Sequence, residues 1–86
     1  MASTEVKLTV NEWVEIAAED CDIQNKSNNK VWIIRDENPP AGTATVDKGR
    51  AKLMRAFDYG VIINLGVNKV YAYTEDYGVS LSVDLL

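Results

Sequence analysis

Histidine is absent from this 86-residue chain, and cysteine occurs once, as Cys21. Without histidine the commonest general base is missing, and together the two shortages leave no Cys–His pair for nucleophilic catalysis and no Cys/His set for zinc. A lone cysteine cannot close an internal disulfide, so the fold must be held by packing and suits assembly in a reducing cytoplasm. Cys21 lies between Asp20 and Asp22, whose charges oppose thiolate formation, and it is expected to be an inert, half-buried core residue. The five glycines are dispersed and form no phosphate-cradling loop. The acidic stretches Glu19-Asp20-Cys21-Asp22 and Asp36-Glu37-Asn38 lack the ligand spacing and central glycine of a calcium loop. No catalytic, cofactor-binding or metal-binding residue is nominated, and an enzyme is not expected.

Long apolar runs are missing too. None approaches the ~20 residues of a membrane span, and Met1 to Glu5 lacks the basic and apolar regions of an export signal. No membrane partner is expected, and synthesis in the cytosol is. Positive charge is scarce: nine Lys and Arg against thirteen Asp and Glu give a formal charge of -4, which argues against a duplex nucleic-acid partner. The basic cluster Lys48, Arg50, Lys52 and Arg55 reads as a solvated loop or helix face.

What is there is β-forming. Glu5 to Val10 alternates with period two, turning Val6, Leu8 and Val10 to a core. After a turn at Asn11-Glu12, Trp13 to Ala18 alternates again with Val14 and Ile16 inward and Trp13 on the outer face or rim; a helix over Val10 to Cys21, capped by Asn11, is the competing reading. Ile23 and Val31-Trp32-Ile33-Ile34 flank the polar Asn25 to Asn29 and predict a β-hairpin whose second strand is central in a sheet. Pro39-Pro40 breaks the ladder, and Thr43 to Val46 follows as a short edge strand. From Asp47 to Asp58, Ala51, Leu53, Met54 and Phe57 recur at helical spacing, predicting one short helix or turn around 47–57 rather than a strand, although Gly49 opposes a helix. Asp58-Tyr59-Gly60 reads as a turn, Val61 to Leu65 as a strand inside the sheet, Gly66-Val67-Asn68 and Glu75 to Gly78 as turns, and Lys69 to Tyr73 as a strand. The last segment has the cleanest alternation, with Val79, Leu81, Val83 and Leu85 on one face. The sum is a single mainly all-β domain, a compact antiparallel β-sandwich or barrel of about seven or eight short strands.

With chemistry unpromising, contact surfaces remain. Trp13, Tyr59, Tyr71, Tyr73 and Tyr77 are candidate interface anchors, because rigid amphipathic rings dominate contact energetics; core and rim packing is the competing use, and for Trp32 the favoured one. A glycan-binding platform would use the same residues. Leu85 and Leu86 would expose large apolar side chains if frayed, so they either dock in the core or meet another subunit.

The order of an alternating strand, Trp13, Ile23-Gln24-Asn25-Lys26-Ser27, Val31-Trp32-Ile33-Ile34-Arg35, the Pro39-Pro40 loop and Val70-Tyr71-Ala72-Tyr73 resembles small β-rich virion structural proteins of tailed bacteriophages. The similarity covers most of the chain and departs from the usual pattern between Val46 and Phe57. The resemblance implies a β-sandwich located in the virion, with a head decoration or cement role. Its partners would be the major capsid protein or another virion protein and further copies of itself, a trimer being favoured. A tail or fibre component binding a receptor or glycan is the alternative, and an inhibitor or regulator of a host protein is a third reading.

Overall fold

Among the described residues, short β-branched and aromatic stretches between Asn, Gly and Asp turns become strands. The computed structural model describes residues 4–40 and 51–86, and among them there is no helix. The strands are β1 (Thr4–Lys7), β2 (Val14–Ala17), β3 (Cys21–Asn25), β4 (Val31–Asp36), β5 (Lys52–Met54), β6 (Tyr59–Ile62), β7 (Lys69–Tyr73) and β8 (Ser80–Leu85). Antiparallel pairs join β4 to β5, β3 to β6, β2 to β7 and β1 to β8. The chain is thus one long hairpin folded back at the β4–β5 connection. Rolling it brings β8 against β3 and β7 against β4 and creates two four-stranded sheets, β1-β8-β3-β6 and β2-β7-β4-β5. This order is the wrapping of a jelly roll, in which two sheets bury their inner faces against each other.

The alternation of β8 places Leu81 and Val83 inside, with Val79 just before the strand. They join Cys21 and Ile23 of β3, and meet Val31 and Ile33 of β4 and Val70 and Ala72 of β7 in one core. In β2 the register shifts between Glu15 and Ala17. This bulge lets consecutive residues Ile16 and Ala17 both be buried, where strict alternation would bury only one.

Three expectations are corrected. The segment from Ile23 to Ile34 is not a hairpin: β3 pairs with β6 and β8, and β4 with β5 and β7, in different sheets. The chain crosses between sheets because Asn25, fully buried, closes the loop on itself. Its Nδ2 donates to the carbonyls of Asn29 (2.8 Å) and Arg55 (3.0 Å). Its Oδ1 accepts from Ser27 N (3.0 Å) and Ser27 Oγ (2.7 Å). With those bonds made within the loop, no ladder between β3 and β4 is needed.

The described part of the expected helix, from Ala51, is strand and turn instead. Leu53 pairs with Trp32 in β5, and Arg55 to Asp58 is a turn, with Asp58 N donating to Arg55 O and Phe57 at a φ of 59°. Tertiary pairing has overridden the helical spacing. The turn therefore falls before Tyr59, and Tyr59 and Gly60 belong to β6. Third, β6 pairs, among the described residues, only with β3, so Val61 and Ile63 are 47% and 50% exposed rather than inside. The strand expected over Trp13 to Ala18 is present as β2, and the competing helix over Val10 to Cys21 does not form. The edge strand expected at Thr43 to Val46, and Asp47, Lys48, Gly49 and Arg50, lie outside the described residues.

Two substitutions test this account. Asn25→Ala removes both partners of the loop and leaves buried main-chain groups unpaired, so it should cost about 2–4 kcal/mol in urea unfolding. Leu81→Ala, at a fully buried position, should cost about 2–5 kcal/mol.

Candidate interaction surfaces

The two sheets differ in what they turn outward. Along β7, Val70 and Ala72 enter the core, which sends Tyr71 and Tyr73 to the outer face. There Tyr73 is flanked by Trp13 at a ring-centroid distance of 5.3 Å and Trp32 at 6.1 Å, both tilted, and its hydroxyl donates to Asn11 Oδ1 at 3.0 Å. Tyr71 stands across from Glu15 and Ile34. Both tyrosine rings are nevertheless buried, at 2% and 5% exposure. Trp13 is half-buried. The structure thus brings Trp13, Trp32 and Tyr73 together in intramolecular packing, and Tyr71 and Tyr73 present almost no ring surface to a partner.

The other nominated residues are accessible. Tyr77 is 85% exposed in the turn before β8, a turn braced by Thr74, whose Oγ1 donates to Lys30 O and accepts from Asp76 N. Leu85 is 40% exposed and lines, with Thr4, Ile16, Ala17 and Val83, a shallow hollow of about 450 Å³ beside β1 and β2. Leu86 is held through its main chain, whose N–H donates to Asp20 O, while its side chain is exposed. Leu85 and Leu86 are therefore partly covered rather than docked in the core.

Tyr59 projects from the outer face of β1-β8-β3-β6, in register with Gln24 and two pairs away from Asp22. Desolvation, the hydrogen bond to Asp22 and the negative charges of Asp22 and Asp84 raise its phenol above the ordinary value. Asp22 and Asp84 face each other across β3 and β8, a like-charge pair that works against the sheet.

One exposed apolar feature among the described residues was not legible in the sequence. At the side of the sandwich bounded by β5 and β6, Leu53, Tyr59, Val61 and Ile63 are exposed, as is Phe57 in the intervening turn. A cleft of about 360 Å³ opens there between Ile33, Ile34, Arg35, Lys52, Val61 and Ile62. A deeper hollow of about 110 Å³ continues to Ile23 and Met54, with Asp58 at its rim. Arg35 spans the mouth, donating from Nη1 to Ile63 O at 2.9 Å. Gly60 permits the close approach of the two edges, since a Cβ there would lie 3.2 Å from Met54 Cε.

Comparison with protein-family models, curated proteins and solved structures returned no match. What the surface can do must be argued from its own chemistry. Cys21 is fully buried, and burial, then the charges of Asp22 and Asp20, push its thiol up despite the opposing effect of Arg35. It is not a poised nucleophile. Among the described residues no three His, Cys, Asp or Glu side chains converge on a common point, and no helix is long and apolar enough to cross a membrane. The accessible features among the described residues include apolar residues at strand edges and rings at turns, which suit contact with another surface.

Two outcomes follow from the titrating groups. Cys21 should stay unmodified by an aromatic disulfide reagent in the native protein and react fully in denaturant. In a difference titration against Tyr59→Phe, Tyr59 should ionise above an ordinary tyrosine, and Asp22→Asn should bring it down. Because the folded state holds that proton more tightly, the associated stability is present below the ordinary tyrosine pKa and is lost as pH rises through the folded value.

Proposed function

We propose that this chain is a non-enzymatic structural protein of a tailed bacteriophage virion. Its best-supported role is head decoration or cement, bound to the major capsid protein and adding contacts between shell subunits. The observation that carries this reading is the exposed strip Leu53, Tyr59, Val61 and Ile63 at an open side of the sandwich. Apolar side chains kept in water along a strand edge suit docking on another protein. The sequence resemblance to small virion proteins points the same way, as does the net charge of -4, which disfavours adhesion to packaged DNA. Jelly rolls serve both as capsid components and as lectins, so the fold contributes by analogy alone.

A tail or fibre role is the second reading, favoured by Tyr77, whose largely exposed ring is available for stacking on a sugar. Quantitative mass spectrometry of purified virions separates the two. A copy number comparable with that of the major shell protein is the expected outcome. A few copies per particle would move the protein to the tail, and absence from particles would reject both.

A further inference from the structure

β6 turns two residues toward the core, and one of them has no side chain. Ile62 packs against the buried cluster, whereas at Gly60 a Cβ would lie 3.2 Å from Met54 Cε. The hollow of about 110 Å³ lined by Gly60, Ile23, Ile33 and Met54 therefore receives no side chain from β6 at this position. Asp58 also lines it, with its Oδ2 already accepting from Arg55 N at 3.1 Å. At the Ile62 end, Arg35 and Lys52 stand beside Ile33 and Ile34 in the cleft of about 360 Å³, and no carboxylate among the described residues lines it.

The main chain of β6 is aimed for one more strand. Asn25 N–H donates to Asp58 O at 2.8 Å, and in an antiparallel ladder the groups of successive residues alternate in direction. Those of Gly60 and Ile62 thus face β3, and those of Tyr59, Val61 and Ile63 face away. Among the described residues no strand pairs on that side, and β6 has neither the charge nor the proline that usually protects an edge. Arg35 Nη1 donates to the Ile63 carbonyl at 2.9 Å, which leaves the N–H and C=O of Tyr59 and Val61 for an incoming backbone. That bond also disfavours a symmetric β6–β6 pair, in which each Tyr59 N–H would oppose the occupied Ile63 carbonyl of the other copy.

We infer that the shell partner contributes an extended segment that pairs with β6 as a fifth strand of β1-β8-β3-β6, with an apolar side chain opposite Gly60 and a carboxylate opposite Ile62. The apolar side chain fills the hollow that Gly60 leaves empty. The carboxylate enters the cleft, where Lys52 and the remaining donors of the Arg35 fork receive it. Both oxygens of Asp20, the acid at the end of β6, are engaged by Asn64 N and Leu65 N. Backbone bonds supply the affinity of such strand addition, and alternate side chains its specificity. The inference rests on the docking proposed above and states the chemistry that the partner brings to the same strip: an apolar residue and an acid separated by one residue, the latter opposite Val61.

The probes are two acetylated and amidated peptides, Thr-Thr-Leu-Thr-Glu-Thr-Thr and Thr-Thr-Glu-Thr-Leu-Thr-Thr, one for each direction of the added strand. Each is titrated to millimolar concentration into isotope-labelled protein and followed by amide NMR. One of the two should shift the Tyr59 and Val61 amides and slow their hydrogen exchange, which without peptide is fast compared with that of Gly60 and Ile62. N-methylation of the Thr between Leu and Glu, Gln in place of the peptide's Glu, and Lys52→Gln in the protein should each weaken binding about tenfold, the variant keeping its circular dichroism spectrum. No binding by either peptide, affinity insensitive to any of those three changes, or the same amide shifts on raising the protein concentration alone, which would assign the edge to a second copy, would overturn the proposal. Abundance in virions without peptide binding rejects strand addition alone, and peptide binding with absence from virions rejects the virion reading alone.

Discussion

The carboxamide of Asn25 is the point on which the topology depends. A fully buried amide is tolerable only when its donors and acceptor are all used, and here two carbonyls and one serine satisfy it. One of those carbonyls belongs to Arg55, so the loop between β3 and β4 is fastened to the turn between β5 and β6. Main-chain bonds from Asn25 N to Asp58 O and from Phe57 N to Ser27 O complete the junction. Strands β3, β4, β5 and β6 meet at this corner. Asp20 plays a smaller version of the part at the opposite end of β3, accepting from Asn64 N and Leu65 N and fixing where β6 ends.

Much of the strand inventory was legible because burial on one face imposes a period of two. β8 and β7 follow this rule, and the turns at Asn11, Gly66 and Gly78 coincide with residues that accept positive φ. The sequence could not reveal which strand each strand chooses. Asn25-Lys26-Ser27-Asn28-Asn29 is as suitable for a hairpin as for a crossing between sheets, and the decision lies with Arg55, thirty residues away. Met54 and Phe57 at helical spacing were a weak local preference set against the pairing of Val31 with Met54 and Trp32 with Leu53.

The surfaces were legible to a lesser degree. Composition marked aromatic residues as contact candidates, but a ring facing away from the core is not necessarily exposed, as Tyr71 and Tyr73 demonstrate. Conversely, the apolar run from Val61 to Ile63 resembled a central strand, and it occupies an edge. Apolar character records that a residue is compatible with burial. It does not record whether the burying neighbour belongs to the same chain.

The nested pairing has a kinetic side. Thr4 finds Val83 only by bringing together segments separated by almost the whole sequence, and the entropy of closing that loop is repaid late. Folding should zip outward from the β4–β5 pair, through the Asn25 junction, and finish with β1. Until β1 arrives, β8 has an uncovered edge of its own, so the order of assembly passes through a species with an unpaired strand edge.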